Sequence, residues 1–439
     1  MIAESSRFRS VAVSLLAASL VMVGWVAGAP ELTVWSNKNG ASYGAGETIE
    51  WKVSLAGAGS ETLKDGSYIL RQGGQGTLAE GKLDFTNGEA VVKASWSGPG
   101  SILAEINATA SNGQKFKTLA GAVVVPEAIK PSAPCPDDFE AFWKEKLDEL
   151  AKVPANPVLV SEESAKGGVD YWKITMDNIR GTHIRGQLAR PSGTEKRPAL
   201  LLVQYAGVYG LPKTNVTNMA AEGWLALNIS AHDLPIDQAE AFYREQDTGA
   251  LKNYVAIGND DREKCYFLRM FLACSRAVDY LAGRPDWDGK TLVVSGTSQG
   301  GLQAFVTAGL NPKVTGMLAL VPAGCDNSGT LAGRKPGWPY WMNNAKGKDE
   351  GKALETSKYF DAVNFAARVR CPALVGLGLI DTTSPPSGVF AAFNQLHGEK
   401  EVVVMPFSDH KGRNNTQAPY HARAREWRKA WVEGRSPVK

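Results

Sequence analysis

The sequence predicts a mixed α/β protein, in which a small all-β domain precedes a larger domain built on a mostly parallel sheet with helices on both faces. Two observations support this prediction. Residues 31–125 contain short segments in which apolar and polar residues alternate, as they do in strands with one buried face. From about residue 157, continuous apolar runs alternate with segments of helical periodicity, which is typical of buried parallel strands joined by helices.

The composition is that of an ordinary globular protein. Of the 439 residues, 44% are hydrophobic and 21% are charged, which suits a leader followed by two domains. The net charge of +3 is too small to indicate nucleic-acid or membrane-surface binding. The five cysteines lack a C-x-x-C pair, which disfavours a zinc site or a redox pair. We expect neither a metal nor a cofactor. A disulfide between Cys325 and Cys371 is conceivable, since both lie at the ends of predicted strands, and the odd count leaves at least one thiol free or paired between chains.

Residues 1–29 have the features of a secretory signal. Arg7 and Arg9 form a basic start, the run Val11–Val26 is apolar, and Ala27–Ala29 resembles a cleavage site. The alternative is an uncleaved membrane anchor, although 16 apolar residues are short for a bilayer span. We therefore expect a secreted or periplasmic protein without stable membrane association after signal cleavage.

Residues 30–126 are expected to form an immunoglobulin-like β-sandwich. Thr48–Leu55, Ala90–Trp96 and Ser101–Ala108 alternate with period two, and pairs such as Asn87-Gly88 supply turns because both residues tolerate positive φ. Roughly seven short strands can be accommodated in this segment. A linker over residues 127–136 leads to the second domain, residues 137–439. We interpret the sandwich as a spacer or dimer-contact domain, in preference to a glycan-binding module.

Eight strands are expected in the second domain. The first two, Val169–Asp177 and His183–Arg190, form an amphipathic antiparallel pair. Helical segments, including Tyr266–Leu281, separate the later strands. These later strands are continuous apolar runs at Ala199–Gln204, Trp224–Ile229, Leu292–Ser295, Gly316–Val321, Ala373–Gly378 and Glu401–Met405.

A glycine-flanked serine follows the fifth of the eight predicted strands, Leu292–Ser295. The motif Gly296-x-Ser298-x-Gly300 is preceded by an apolar strand and followed at once by residues that favour a helix. This is the context of a nucleophile elbow, in which a sharp turn presents a serine hydroxyl above the sheet. Ser42 also lies in a G-x-S-x-G pattern, but no helix follows it, and we interpret it as a turn residue. The strand order and the elbow together predict an α/β-hydrolase fold.

The acid and the base of a catalytic triad have candidates in the expected order. A serine nucleophile needs a base, and the base needs an orienting carboxylate. In this fold they follow the seventh and eighth strands, where the sequence has Asp381 and His410. The internal competitors are His421 for the base and Asp409 for the carboxylate.

Two backbone N–H groups are expected to form an oxyanion hole. One belongs to Gln299, the residue after the serine, and the other comes from the loop after the third strand, where we choose Tyr205. The alternative is that Tyr205 and Tyr209 merely pack against their loop.

The segment Cys325–Lys358 is long, polar and rich in aromatic residues. We expect it to act as a lid in which Trp338, Tyr340 and Trp341 bind substrate by stacking on sugar rings. The alternative, of equal weight, is ordinary packing of an inserted segment.

The chain resembles the acetyl xylan esterase / cephalosporin C deacetylase family, carbohydrate esterase family 7, over about residues 134–412. The resemblance is carried by Cys135–Trp143, by Gly296–Gly301 with its glutamine after the serine, and by Cys371-Pro372. It is also carried by Gly378–Pro386, in which two prolines follow the acid. The family implies Ser298, Asp381 and His410 as the triad and the Tyr205 and Gln299 amides as the oxyanion hole.

The chain departs from the family pattern at three places. An Arg-Gly-Gln motif is usual after the fourth strand, but Ser230–Pro235 stands here. The usual Gly-His-Glu setting of the base is replaced by Asp409-His410-Lys411. A leading sandwich domain is, as a rule, absent from the family.

We expect a secreted serine esterase that removes acetyl groups from acetylated xylan or related sugars through an acyl-enzyme. Its partner would be an acetylated oligo- or polysaccharide, and we expect no nucleic-acid partner. The sequence leaves open whether the chain forms a homo-oligomer. Two alternatives are retained. One is a peptidase or acyl-peptide hydrolase of the same fold, and the other is a glycan-binding protein whose hydrolase domain is inactive.

Overall fold

The structure is a computed structural model that describes residues 30–57 and 61–438. The predicted signal segment, residues 1–29, lies outside this described part. None of the helices within these two ranges is long and apolar enough to cross a bilayer. All five cysteines carry free thiols, so the disulfide considered between Cys325 and Cys371 is not formed.

The first part of the described chain is built from strands alone. Its strands are β1 (Glu31–Ser36), β2 (Ser42–Tyr43), β3 (Ile49–Ala56), β4 (Leu63–Gln72), β5 (Gly76–Leu83), β6 (Glu89–Ala94), β7 (Gly100–Ala110) and β8 (Lys115–Val124). They form two sheets, with the orders β1-β3-β6 and β2-β8-β7-β4-β5. In β3 the predicted alternation is observed, because Ile49, Trp51 and Val53 are buried while Lys52 is exposed.

A nine-stranded sheet forms the centre of the remaining chain. Its strands are β9 (Val158–Glu162), β10 (Val169–Asp177), β11 (His183–Pro191), β12 (Arg197–Val203), β13 (Leu225–Ile229), β14 (Trp287–Thr297), β15 (Gly316–Leu320), β16 (Ala373–Gly378) and β17 (Lys400–Met405). The order is β17-β16-β15-β14-β12-β13-β11-β10-β9. The six strands from β17 to β13 pair in parallel, and β11, β10 and β9 continue the sheet in antiparallel pairs.

In the described chain this sheet has nine strands, one more than the eight that the sequence predicts. The additional strand, β9, lies at the edge of the sheet, and its residues are almost all exposed. A strand without a buried face has no alternating pattern for the sequence to show, which is why it escaped prediction.

Helices cover both faces of the sheet, as predicted. They are α1 (Phe139–Ala151), α2 (Thr214–Ala221), α3 (Glu240–Thr248), α4 (Tyr266–Ala282), α5 (Gln299–Leu310), α6 (Glu350–Tyr359), α7 (Ala362–Ala366), α8 (Pro386–Asn394) and α9 (Ala418–Val432). In β14, Val294 packs in one cluster with Phe271 of α4 and Phe305 of α5. The neighbouring Val293 packs in a second cluster with Trp427 of α9, because successive side chains of a strand point to opposite faces.

The topology brings three loops to one edge of the sheet. Strands β14, β16 and β17 run parallel, so their carboxyl ends lie on the same side. The loops that follow these strands carry Ser298, Asp381 and His410. In open α/β sheets this edge is where ligands bind.

Candidate active site

Ser298 lies at a sharp turn between β14 and α5. Its backbone has φ 57° and ψ −118°, a conformation that residues other than glycine rarely adopt. The glycines on either side leave no room for a side chain. A Cβ added at Gly296 would lie 2.2 Å from the carbonyl oxygen of Gly300, and one at Gly300 would lie 2.6 Å from that of Val203. The motif is thus required by close approach of backbone to backbone.

The three triad candidates form one hydrogen-bonded chain. The Ser298 Oγ lies 2.8 Å from Nε2 of His410, and Nδ1 of the same ring lies 2.7 Å from Oδ2 of Asp381. With a proton on Nδ1, the ring donates to the carboxylate and accepts from the serine hydroxyl. This is the arrangement in which a histidine can take a proton from a serine and make it nucleophilic.

Asp381 is buried and held by its own loop. Only 3% of the residue is exposed, and Oδ1 accepts the N–H groups of Thr383 and Ser384, each at 2.8 Å. The end of β16, just before this loop, also touches the loop of the base, because a Cβ added at Gly378 would lie 2.1 Å from the carbonyl oxygen of Ser408. The position of the carboxylate therefore depends on the shape of the 379–387 loop, which we call the acid loop.

Neither internal competitor joins this chain. The carboxylate of Asp409 accepts the N–H groups of Lys411 and Arg413, at 3.1 and 3.2 Å, and so caps its own turn. His421 is exposed near the start of α9.

The two predicted oxyanion donors lie on adjoining segments. Gln299 is the first residue of α5, where backbone N–H groups have no partner inside the helix. The carbonyl of Gln204 accepts the side-chain amides of Gln303 at 2.8 Å and of Gln299 at 3.4 Å. Because the C=O and N–H of one trans peptide point in opposite directions, the Tyr205 N–H points away from these buried amides. That orientation suits a donor to a substrate oxygen.

The rest of the Tyr205 loop is fixed by buried rings. The Nε2 of His232 donates to the carbonyl of Gly207 at 3.0 Å, and Nδ1 accepts the Tyr266 hydroxyl at 2.6 Å. The Tyr254 hydroxyl donates to Oε1 of Gln299 at 2.6 Å. His232, which stands where the family motif is missing, therefore supports the loop from behind and is itself buried.

Reasoning from the sequence missed the support given by Gln303 and by His232. Gln303 follows Gln299 by four residues, so both side chains lie on the same face of α5, and that spacing was the available signal. His232 gave no comparable signal, because its partners Gly207 and Tyr266 come from distant positions in the chain.

Replacing Gln303 with leucine is expected to lower kcat while leaving KM nearly unchanged. Without the Nε2 donor, the Gln204 peptide loses its shorter hydrogen bond, and the Tyr205 N–H is less well aimed at an oxygen that becomes charged only in the transition state. Loss of a whole oxyanion donor costs about 10²- to 10³-fold, so we expect about 10-fold or more for misalignment. Steady-state kinetics on an aryl acetate measures the effect.

Thr307→Val is the matched control for this prediction. Thr307 lies one turn further along α5, is equally buried, and donates to the carbonyl of Gln303 at 2.5 Å. The Thr307→Val substitution should destabilise α5 without changing kcat. Equal kcat values in both variants, after correction for folded protein, would contradict the role given to Gln303.

Protonation of His232 should make the stability of the protein depend on pH. The pKa of His232 is lowered to about 4, chiefly by burial; the hydrogen bond to Gly207 raises the pKa, and the charge of Arg269 lowers it. Because the folded-state pKa lies below the ordinary value of about 6.5, unfolding takes up a proton between about pH 4 and 6.5. The stabilising contribution is therefore complete above about pH 6.5 and is lost as the pH falls, by about 3 kcal/mol in all.

Urea unfolding at several pH values tests this expectation. His232→Gln should flatten the dependence of the free energy of unfolding on pH, whereas His397→Gln, at an exposed position before β17, should not. A variant at position 232 that keeps the full pH dependence would show that another group is responsible.

The three aromatic residues predicted to bind substrate occupy different environments. Trp341 is only 2% exposed, stacks on Phe267 and Phe360, and donates its indole N–H to the Asn259 carbonyl at 2.8 Å. It is a core residue and has no free face for a sugar. The pattern of aromatic residues in the sequence does not distinguish a ring buried under the segment from one on its surface.

Trp338 and Tyr340 are both partly exposed. The backbone N–H of Trp338 donates to the carbonyl of Thr383 at 2.7 Å, which attaches this segment to the acid loop. More exposed rings lie in the loops of the other site residues: Tyr205 is 55% exposed and Phe407 is 43% exposed. Phe407, three residues before His410, was not predicted from the sequence.

Comparison with known proteins shows that the chain is similar to a family of esterases. A model of the acetyl xylan esterase (AXE1) family matches residues 127–429. Acetyl esterase Axe7A of Xylanibacter ruminicola is 31% identical over 373 residues, which is 84% of each chain.

Solved structures share the fold. An acetyl xylan esterase from Paenibacillus sp. R4 superposes with a TM-score of 0.60 at 26% identity, over 71% of this chain and 98% of that one. Acetyl xylan esterase 1 from Thermoanaerobacterium sp. JW/SL YS485 also gives a TM-score of 0.60, at 23% identity, over 69% of this chain and 96% of that one.

Proposed function

Because the chain belongs to the acetyl xylan esterase family and is a carboxylic ester hydrolase, we propose that it removes acetyl groups from acetylated xylan or related sugars as a serine esterase. The observation that carries this proposal is the hydrogen-bonded chain from Ser298 through His410 to Asp381. Its relatives, an acetyl esterase and acetyl xylan esterases, supply the substrate class. The earlier alternatives, a peptidase and an inactive glycan-binding protein, have no observation of comparable weight.

The first half of the reaction would acylate the serine. His410 Nε2 takes the proton of Ser298 as Oγ attacks the acetyl carbonyl carbon. The carbonyl oxygen becomes an oxyanion that accepts hydrogen bonds from the backbone N–H groups of Gln299 and Tyr205. When the tetrahedral intermediate collapses, His410 returns the proton to the departing sugar oxygen, and the acetyl group remains on Ser298.

The second half would release acetate. A water molecule loses a proton to His410 and attacks the acetyl-enzyme, and the oxyanion forms again in the same place. Collapse of this intermediate frees acetic acid, which ionises to acetate in water, and His410 returns its proton to Ser298. Throughout both halves, Asp381 keeps its charge and stabilises the imidazolium of His410.

Sugar recognition would involve the exposed rings around the three loops. Tyr205 and Phe407 offer the largest exposed aromatic surfaces there, and the partly exposed Trp338 and Tyr340 lie on the neighbouring segment. Flat apolar rings suit the C–H faces of sugars. Residues 1–29 motivate a further part of the proposal, namely export to the periplasm or the cell exterior, where polysaccharides lie.

Acetate release from acetylated xylo-oligosaccharides tests the substrate class. We expect release by the protein and none by its Ser298→Ala variant, with xylan oligosaccharides preferred to an N-acetylated peptide. Turnover of a simple aryl acetate without any release from the oligosaccharides would retain the esterase and reject the sugar substrate.

A further inference from the structure

The N-terminal sandwich is packed directly against the candidate catalytic machinery. An antiparallel sheet at a protein surface usually has one buried and one solvated face. At one end of β7 and β8, however, burial is continuous: residues 100–104 and 120–124 are all buried. One face of this end contacts the sandwich core, and the other is covered by the α/β domain.

The contact is made at backbone distance. In β8, a Cβ added at Gly121 would lie 2.4 Å from the carbonyl oxygen of Leu379 and 2.6 Å from its Cβ. Gly121 has no positive φ that would demand glycine, so the close approach alone accounts for the missing side chain. Leu103, its partner across the β7–β8 ladder, lines a small cavity with Leu379 and Asp381.

A second contact lies at the far end of the acid loop. The hydroxyls of Ser101 in β7 and Ser387 in α8 are buried and 2.6 Å apart. Residues 379 and 387 flank Asp381, so the sandwich touches the acid loop on both sides of the carboxylate. The turn after β4 adds a third contact, because the Gly73 carbonyl accepts the N–H of Lys335 at 2.9 Å.

We propose that the sandwich domain is a positioning element for the triad acid, acting through Gly121 and Ser101 on the acid loop. The carboxylate of Asp381 is oriented by N–H groups of its own loop, so a shift of Leu379 or Ser387 moves Oδ2 relative to His410. This inference rests on the proposed function of Asp381. It gives the sandwich a part in catalysis, beyond that of a spacer.

Gly121→Ala in the full chain is the direct test. The added methyl group must displace Leu379, and a shift of about 1 Å in a reacting constellation can cost about 10²-fold. We expect kcat/KM on an aryl acetate to fall by about 10- to 100-fold. The acid limb of its pH profile should move to lower pH, because a displaced carboxylate stabilises the imidazolium less. Gly76→Ala, in β5 with nothing within 4 Å of the added Cβ, is the matched control and should change neither.

A double-mutant cycle separates positioning from general damage. In an Asp381→Asn background the acid is already lost, so Gly121→Ala should have almost no further effect on kcat/KM. A full additional loss in that background would overturn the proposal, as would wild-type activity and an unmoved pH profile in Gly121→Ala itself.

A milder pair of substitutions covers the case in which Gly121→Ala does not fold. Ser101→Ala with Ser387→Ala removes both hydroxyls and leaves no buried donor unpaired, so folding should be retained. We expect a several-fold lower kcat/KM that again disappears in the Asp381→Asn background, and unchanged kinetics would reject the proposal. Failure of the proposed function is recognised separately, since Ser298→Ala would then keep its activity.

Discussion

Ser298→Ala should lower kcat for ester hydrolysis by about 10⁶-fold, the loss found when the nucleophile of a serine hydrolase triad is removed. The variant keeps the buried surroundings of the site, because the methyl group of alanine occupies the place of the serine Cβ. His410 and the predicted oxyanion donors remain, and they should leave a residual rate above that of water. The loss should therefore fall on kcat, with substrate binding largely retained.

The chain supplies its own control for this experiment. Ser42 lies in the second G-x-S-x-G pattern, at an exposed position in β2 of the sandwich. Ser42→Ala should retain full kcat on an aryl acetate, and both variants should unfold at similar urea concentrations. Equal activity of Ser298→Ala and the parent would exclude an acyl-enzyme at this residue.

Asp381→Asn should lower kcat by about 10⁴-fold, as loss of the triad acid does elsewhere. The two loop N–H groups that bind Oδ1 would hold the amide oxygen of asparagine in that place. Its NH₂ group would then face Nδ1 of His410, where it can only donate. The ring would have to carry its proton on Nε2, and it could no longer accept the proton of Ser298.

The neighbouring acid provides the comparison. Asp409→Asn affects a carboxylate that caps its own turn, so kcat should stay within about 2-fold of the parent because surface caps act on stability. Both kcat values are measured on the same aryl acetate. A large loss in Asp409→Asn with little loss in Asp381→Asn would exchange the roles of the two residues.

The sequence predicted those parts of the fold and the site that depend on local pattern and chain order. The elbow around Ser298 and the positions of Asp381 and His410 follow from strand–turn–helix patterns, because parallel strands deliver their loops to one edge. The family predicted from these residues and the mixed α/β fold are confirmed. The domain boundaries and the roles of the site residues stay predictions.

What the sequence could not show depends on contacts between distant segments. The edge strand β9 has no buried face, and Trp341 has the same appearance in sequence as an exposed ring. The support of the Tyr205 loop by His232, and the approach of Gly121 to Leu379, join residues that lie far apart in the chain. The hydrophobic periodicity of a sequence carries no information about such pairs.

The backbone of Ser298 has a further consequence, for evolution of the protein's stability. A residue other than glycine at φ 57° and ψ −118° carries a strain of about 1–3 kcal/mol, which is a notable part of the 5–15 kcal/mol by which folded proteins are stable. Glycine at this position would relieve the strain but would lack the hydroxyl group that the proposed mechanism requires. On the proposed mechanism, stability and activity therefore make opposite demands on the residue at this turn.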